Sequence, residues 1–108
     1  MKALLAFLAC SALPALGWAG APEDFDKGYA LAGHKGCLEC HTLGRTDVGP
    51  SFRDVARRYR FDPLAPGRLP YVIRGGSAGH WGDRFAMWPQ ADLSDEEIRQ
   101  LVDWVLSQ

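Results

Sequence analysis

Very little in this chain of 108 residues could build a disulfide scaffold, a membrane span or a face for a polyanion. It holds three cysteines, Cys10, Cys37 and Cys40, too few for the cross-linked framework of a small secreted domain. Lys and Arg number 12 against 13 Asp and Glu, and that lack of basic excess argues against nucleic acid as a partner. No internal repeat or low-complexity tract is visible, and no stretch alternates apolar and polar residues over a useful length, which argues against an extensive sheet. The one apolar run, Ala3 to Leu16, is interrupted by Cys10, Ser11 and Pro14 and is too short for a comfortable membrane span. Potential soft or imidazole ligands are also scarce: Met1 and Met87, and His34, His41 and His80.

That apolar run follows Lys2 and ends at Gly17-Trp18-Ala19, where small residues occupy the two positions a signal peptidase reads. The pattern predicts a secretory signal peptide over 1–19 and a single mature domain over 20–108, exported to the periplasm and without stable membrane insertion. A cut after Ala21 fits less well, because Pro22 would follow the scissile bond. A lipoprotein cut before Cys10 is the other reading, but only about seven apolar residues precede that cysteine, short for a signal core. A mature domain of this size buries a modest core by itself, so a buried cofactor would supply much of the apolar centre.

The coarse secondary structure is helical. Pro22-Glu23-Asp24 opens a helix through about Ala32, with Phe25, Tyr29 and Ala32 on one face. Ser51 to Tyr59 reads as a second, its apolar stripe Phe52, Val55, Ala56 and Tyr59, its wet side Arg53, Asp54, Arg57 and Arg58. Pro63, Pro66 and Gly67 mark a loop, and Pro70 starts a short helix carrying Tyr71, Val72 and Ile73. Gly75 to Pro89 is glycine-rich and aromatic, without a period. The last helix is the most strongly signalled. Ser94 with Glu97 forms a capping box, and Ile98, Leu101, Val102 and Val105 follow at helical spacing. The expected fold is all-α, three to five short helices around one centre.

Cys37-Leu38-Glu39-Cys40-His41 carries the chemistry. Two thiols three positions apart on a helical turn can reach the two vinyl groups of a porphyrin, and the next residue then presents an imidazole to the iron. This is the attachment pattern of haem c. A thioredoxin-like dithiol would need a strand before it, and zinc would need a second pair of ligands. The pattern implies one haem c (iron) per chain, covalently attached through Cys37 and Cys40, with His41 as an axial ligand. Met87, the only methionine of the mature chain, is the favoured second ligand. His80 or an open position are the alternatives, since His34 lies on the attachment side. A thioether opposite an imidazole would favour ferrous iron and leave no vacancy for oxygen or peroxide.

With these residues in view, the chain resembles the small bacterial class I cytochromes c of the cytochrome c-551/c-552 kind. The resemblance runs through Lys35-Gly36-Cys37 to His41, Val48-Gly49-Pro50, Gly76-Ser77-Ala78-Gly79-His80-Trp81-Gly82, Met87 and Trp104-Val105-Leu106-Ser107. It implies that the Pro50 carbonyl accepts the His41 ring N–H, and that Trp81 hydrogen-bonds a haem propionate. It places the Gln90 amide near the ligating sulfur, and it crosses the first and last helices near the haem edge. Four departures stand out. Five residues separate Trp81 from Met87, one more than usual. Ala86 replaces a common proline, and Ala32 stands where an aromatic is common, so that Phe25 or Tyr29 would have to meet Trp104 or Leu101. A basic residue that often meets a propionate is replaced by Val72, for which Arg68, Arg74 or Arg84 could substitute.

The implied function is one-electron transport by a monomer between transient redox protein partners, a donor and an acceptor. The alternatives are a haem-containing redox subunit of a periplasmic dehydrogenase and, third, a haem enzyme or gas sensor with a labile distal ligand.

Overall fold

The computed structural model describes residues 22–108, together with Ser11 and Ala12; the expected signal peptide and its cleavage site lie outside the described residues. Four helices follow one another: α1 (Pro22–His34), α2 (Phe52–Tyr59), α3 (Ala65–Gly75) and α4 (Asp95–Leu106). A single 3-10 turn, Cys37–Glu39, follows α1. Between α3 and α4 lies a small antiparallel hairpin, β1 (Ser77–Gly79) and β2 (Gly82–Met87).

The sequence places α4 at the centre of the packing, and its start is set by local chemistry. Ser94 holds an extended backbone and its hydroxyl accepts the Glu97 N–H at 3.1 Å. Asp95, Glu96 and Glu97 put negative charge on the first turn, where the helix dipole favours it. The Glu97 carboxylate does not close the capping box; it pairs with Lys35 Nζ at 2.7 Å and ties α4 to the segment just before the cysteines. Removing the cap by Ser94→Ala should cost about 1 kcal/mol of stability, read as a lower denaturant midpoint with an unchanged slope.

Ile98, Leu101, Val102 and Trp104 of α4 are buried against Ala32 and Phe52. Trp104 collects three aromatic neighbours: Phe52 edge-on at 4.9 Å between centroids, Phe25 at 6.0 Å and Tyr29 at 6.3 Å. Ala32 is therefore answered by the two aromatics one and two turns before it. The closest approach of α1 to α4 is made at Gly28, where a Cβ would lie 2.1 Å from Trp104 Cγ.

Two expectations are corrected. The segment over 63–67 is not all loop, because α3 already begins at Ala65. Pro66 occupies its first turn, where a missing N–H costs nothing, and the Asp62 carboxylate accepts the Leu64 N–H at 2.9 Å. Pro70 then falls inside the helix and leaves the Pro66 carbonyl without its helical donor, a local cost of up to about 3 kcal/mol. The second correction is the hairpin, in a stretch expected to be irregular. Its strands are too short to show alternation, and glycines at positive φ (Gly76, Gly79, Gly82) shape it.

Candidate haem site

The hairpin, the cysteine turn and the inner faces of α2, α3 and α4 enclose one large cleft of about 1280 Å³, counting its open mouth. Its walls are mainly apolar, with Phe52, Leu69, Ile73, Leu101, Val102 and Val105 among them. The candidate haem ligands and attachment groups come from two separate segments: Cys37, Cys40 and His41 from the turn, and His80 and Met87 from the hairpin.

Local folding explains how the turn presents its side chains. Gly36 takes φ 76°, a left-handed conformation that suits glycine, and turns the chain out of α1. The N–H groups of Cys40 and His41 then both donate to the Cys37 carbonyl, at 3.3 and 2.9 Å. Cys37 is half-buried and Cys40 exposed, and neither forms a disulfide. Burial on an apolar wall pushes the Cys37 thiol up from its ordinary range.

His41 is oriented from behind. Its Nδ1 donates to the Pro50 carbonyl at 2.6 Å. A carbonyl can only accept, so the proton belongs on Nδ1 and the Nε2 lone pair is left free. Phe52 stacks on the imidazole at 5.2 Å between centroids, 23° from parallel. Gly49 is packed so close that a Cβ there would meet His41 Cε1 at 3.2 Å and Nδ1 at 3.3 Å.

The loop carrying Pro50 is pinned on its far side. The Phe52 and Arg53 N–H groups donate to the Thr42 and Leu43 carbonyls at 2.9 and 3.0 Å. The Thr46 hydroxyl accepts the Ser51 N–H at 2.8 Å and donates to Asp54 Oδ2 at 2.5 Å, while Ser51 caps α2. These bonds hold the Asp54 carboxyl below its usual range, chiefly the Thr46 hydroxyl, then Ser51 and the nearby Arg57. The sign follows from linkage. Proton release is easier in the folded state, so the contribution is complete above the ordinary carboxylate value near about 4 and is lost as pH falls through the lower folded value. Asp54→Asn should therefore flatten the acid-side decline in stability, checked by denaturant midpoints at neutral pH and below about pH 4.

On the hairpin side, Ser77 pairs with Met87 and Ala78 with Ala86, but Gly79 pairs with Gly82. The register break falls on β2, where Asp83, Arg84 and Phe85 form the surplus. Gly76, at φ 72°, anchors the exit: a Cβ there would meet the Met87 carbonyl at 2.5 Å and Pro89 N at 2.9 Å. The Gln90 amide lines the cleft while donating to the Trp88 carbonyl at 3.1 Å. His34 does not line the cleft, whereas His80 does.

Trp81 is a wall of the cleft and meets Tyr59 edge-on at 6.3 Å. Of the arginines considered from the sequence, Arg68 pairs with Asp62 and Arg74 with Asp95, and Arg84 lies over Phe85 at 4.6 Å. Sequence reasoning missed Arg58, placed on the wet side of α2. Its guanidinium lies 4.5 Å from the Trp81 ring centroid and donates to the His80 carbonyl. No local signal could show this, because both partners come from the hairpin.

The sequence profile of the cytochrome c family matches residues 25–108. The chain belongs to the cytochrome c family. This cytochrome is 41% identical to cytochrome c-551 of Pseudomonas aeruginosa over 107 residues, covering 98% of the chain and 95% of that protein. It is 36% identical to cytochrome c-552 of Nitrosomonas europaea over 105 residues, 97% of the chain and 95% of that protein. The crystal structure of wild-type Nitrosomonas europaea cytochrome c552 superposes with a TM-score of 0.69 at 35% identity, covering 73% of the chain and 96% of that structure. The cytochrome is thus an electron carrier, not an enzyme, with covalently attached haem c as its cofactor and redox proteins as its partners. The class I fold agrees with the expected all-α class, the hairpin aside. The cleft fits that group: its walls are apolar, and two thiols with an adjacent imidazole stand at one end. Among the described residues no helix is long and apolar enough to cross a membrane.

Proposed function

We propose that this cytochrome is a periplasmic one-electron shuttle in which Cys37 and Cys40 hold the haem by thioether bonds and His41 and Met87 are its axial ligands. Residues 1–19 act as the export signal and 20–108 as the monohaem domain, working as a monomer. The observation that carries the reading is that His41 and Met87 line one apolar cleft from separate elements, the first with its Nε2 left free by the Pro50 bond. When bound, the iron supplies a one-electron couple. The chain's own contributions are positional. The Pro50 carbonyl fixes the imidazole and raises its basicity, Phe52 and Gly49 hold its plane, and Gly76 lets the Met87 strand approach. Trp81 would donate its indole N–H to a haem propionate, as the resemblance implies. Apolar walls keep water from the metal and favour the less charged, ferrous state.

His80 lines the same cleft, which makes bis-histidine ligation the second reading. The ferric protein as purified separates them. A weak red charge-transfer band of iron bonded to a thioether is expected, together with haem retained on the polypeptide in denaturing electrophoresis. A ferric spectrum without that band sinks the Met87 reading, and haem lost on denaturation sinks the thioether bonds.

A further inference from the structure

We propose that Arg58 is the basic residue that serves the propionate edge of the haem, acting through Trp81; this rests on the reading of Trp81 given above. The position held by Val72 offers no charge. Arg68 and Arg74 are spent on Asp62 and Asp95. Arg58 places its guanidinium carbon 4.5 Å from the ring centroid of Trp81, a wall of the cleft, and 5.4 Å from that of Tyr59. It also donates to the His80 carbonyl, the residue just before Trp81. Two anchors on consecutive residues fix both the ring and its peptide plane against α2. Among the described residues Arg58 forms no ion pair with a carboxylate, in contrast to Arg57 beside it, which pairs with Asp54 at 2.8 Å. One nitrogen is committed to His80, and a guanidinium carries five N–H donors, so donors and a full positive charge remain beside Trp81, itself a wall of the cleft. A positive charge there stabilises an ionised propionate and the reduced haem, which carries one positive charge fewer than the oxidised form. Arg58 is a positioning residue: it holds Trp81 and biases the charge at the edge without touching the iron.

Arg84 is the rival, over Phe85, which also lines the cleft. Its contact is with its immediate neighbour in an exposed strand, and it ties no second element to the site.

The test uses the full holoprotein and measures reduction potential against pH at low and high salt for Arg58→Gln, Arg58→Lys, Arg84→Gln and Trp81→Phe. Arg58→Gln should shift the potential downward and move the propionate titration toward neutral pH. Because the side chain is exposed, the shift should shrink at high salt. Arg58→Lys should keep most of the potential, since the charge survives, and lose the Trp81 order, seen as altered tryptophan emission. Arg84→Gln should move the potential less than Arg58→Gln. An unchanged potential and pH profile in Arg58→Gln, with Trp81→Phe shifting the titration, overturns the proposal and leaves the Trp81 reading standing. If Trp81→Phe leaves the titration unmoved, the reading of Trp81 itself fails. A loss of potential equal in the Lys and Gln variants assigns Arg58 a packing role only and also overturns the proposal.

Discussion

Met87→Ala should abolish the thioether charge-transfer band, lower the reduction potential and open ferrous iron to carbon monoxide. A thioether is a soft ligand that binds ferrous iron better than ferric, so its loss favours the oxidised state. Alanine supplies no donor, and the remaining candidate in the same cleft is His80. The Arg58 contact holds its carbonyl in the hairpin turn, so its ring would have to reach the iron without help from the backbone. His80→Ala is the matched control and should leave the band intact. If Met87→Ala instead leaves the spectrum unchanged while His80→Ala converts it to a five-coordinate form, the ligand assignment is reversed. Met87→His should lower the potential too, but keep the iron closed to carbon monoxide.

Gly28→Ala is expected to be strongly destabilising although it adds a single methyl group. Alanine in place of a helical glycine ordinarily stabilises by about 1 kcal/mol through backbone entropy. Here the added Cβ would lie 2.1 Å from Trp104 Cγ and 2.2 Å from Cδ1, far inside van der Waals contact. Trp104 cannot swing aside, because Phe25, Tyr29 and Phe52 surround it. Overpacking of a tight core costs about 1–3 kcal/mol and sometimes more, and a clash this close belongs at the upper end, so set against the gain of about 1 kcal/mol the net effect should be a loss of about 2 kcal/mol. Thermal unfolding of the holoprotein checks it. Pairing the change with Trp104→Leu should recover part of the loss, since the smaller side chain vacates the contested space. A Gly28→Ala variant as stable as the wild type would mean that α1 can shift along α4 at little cost.

These two substitutions mark the boundary of what the sequence carried. The cysteine turn, its histidine and the capped α4 were legible because each is encoded within a few consecutive residues. Ser94 and Glu97 lie within one helical turn, and so do Cys37 and His41. Gly28 was opaque, since a glycine inside a helix reads as a weak point and its reason stands in another helix. The start of α3 was misread because proline was taken as a stop, where Pro66 is a legitimate first-turn residue. The hairpin was missed because strands of three and six residues, rich in glycine and mostly exposed, carry no period. Arg58 was assigned to solvent on helical periodicity, which is correct for its Cα and silent about a side chain long enough to reach Trp81.

The hairpin's thin burial has a consequence for how the molecule breathes. Four of the six residues of β2 are exposed, Gly82, Asp83, Arg84 and Ala86, and Phe85 and Met87 are only half-buried. Segments with few buried apolar contacts open first and most often, well below the free energy of global unfolding. The amides of Gly82 to Met87 should therefore exchange with solvent deuterium sooner than those of α4, and under the proposed Met87 ligation the difference should narrow in the ferrous protein, where a thioether would bind the iron more strongly and tether the hairpin.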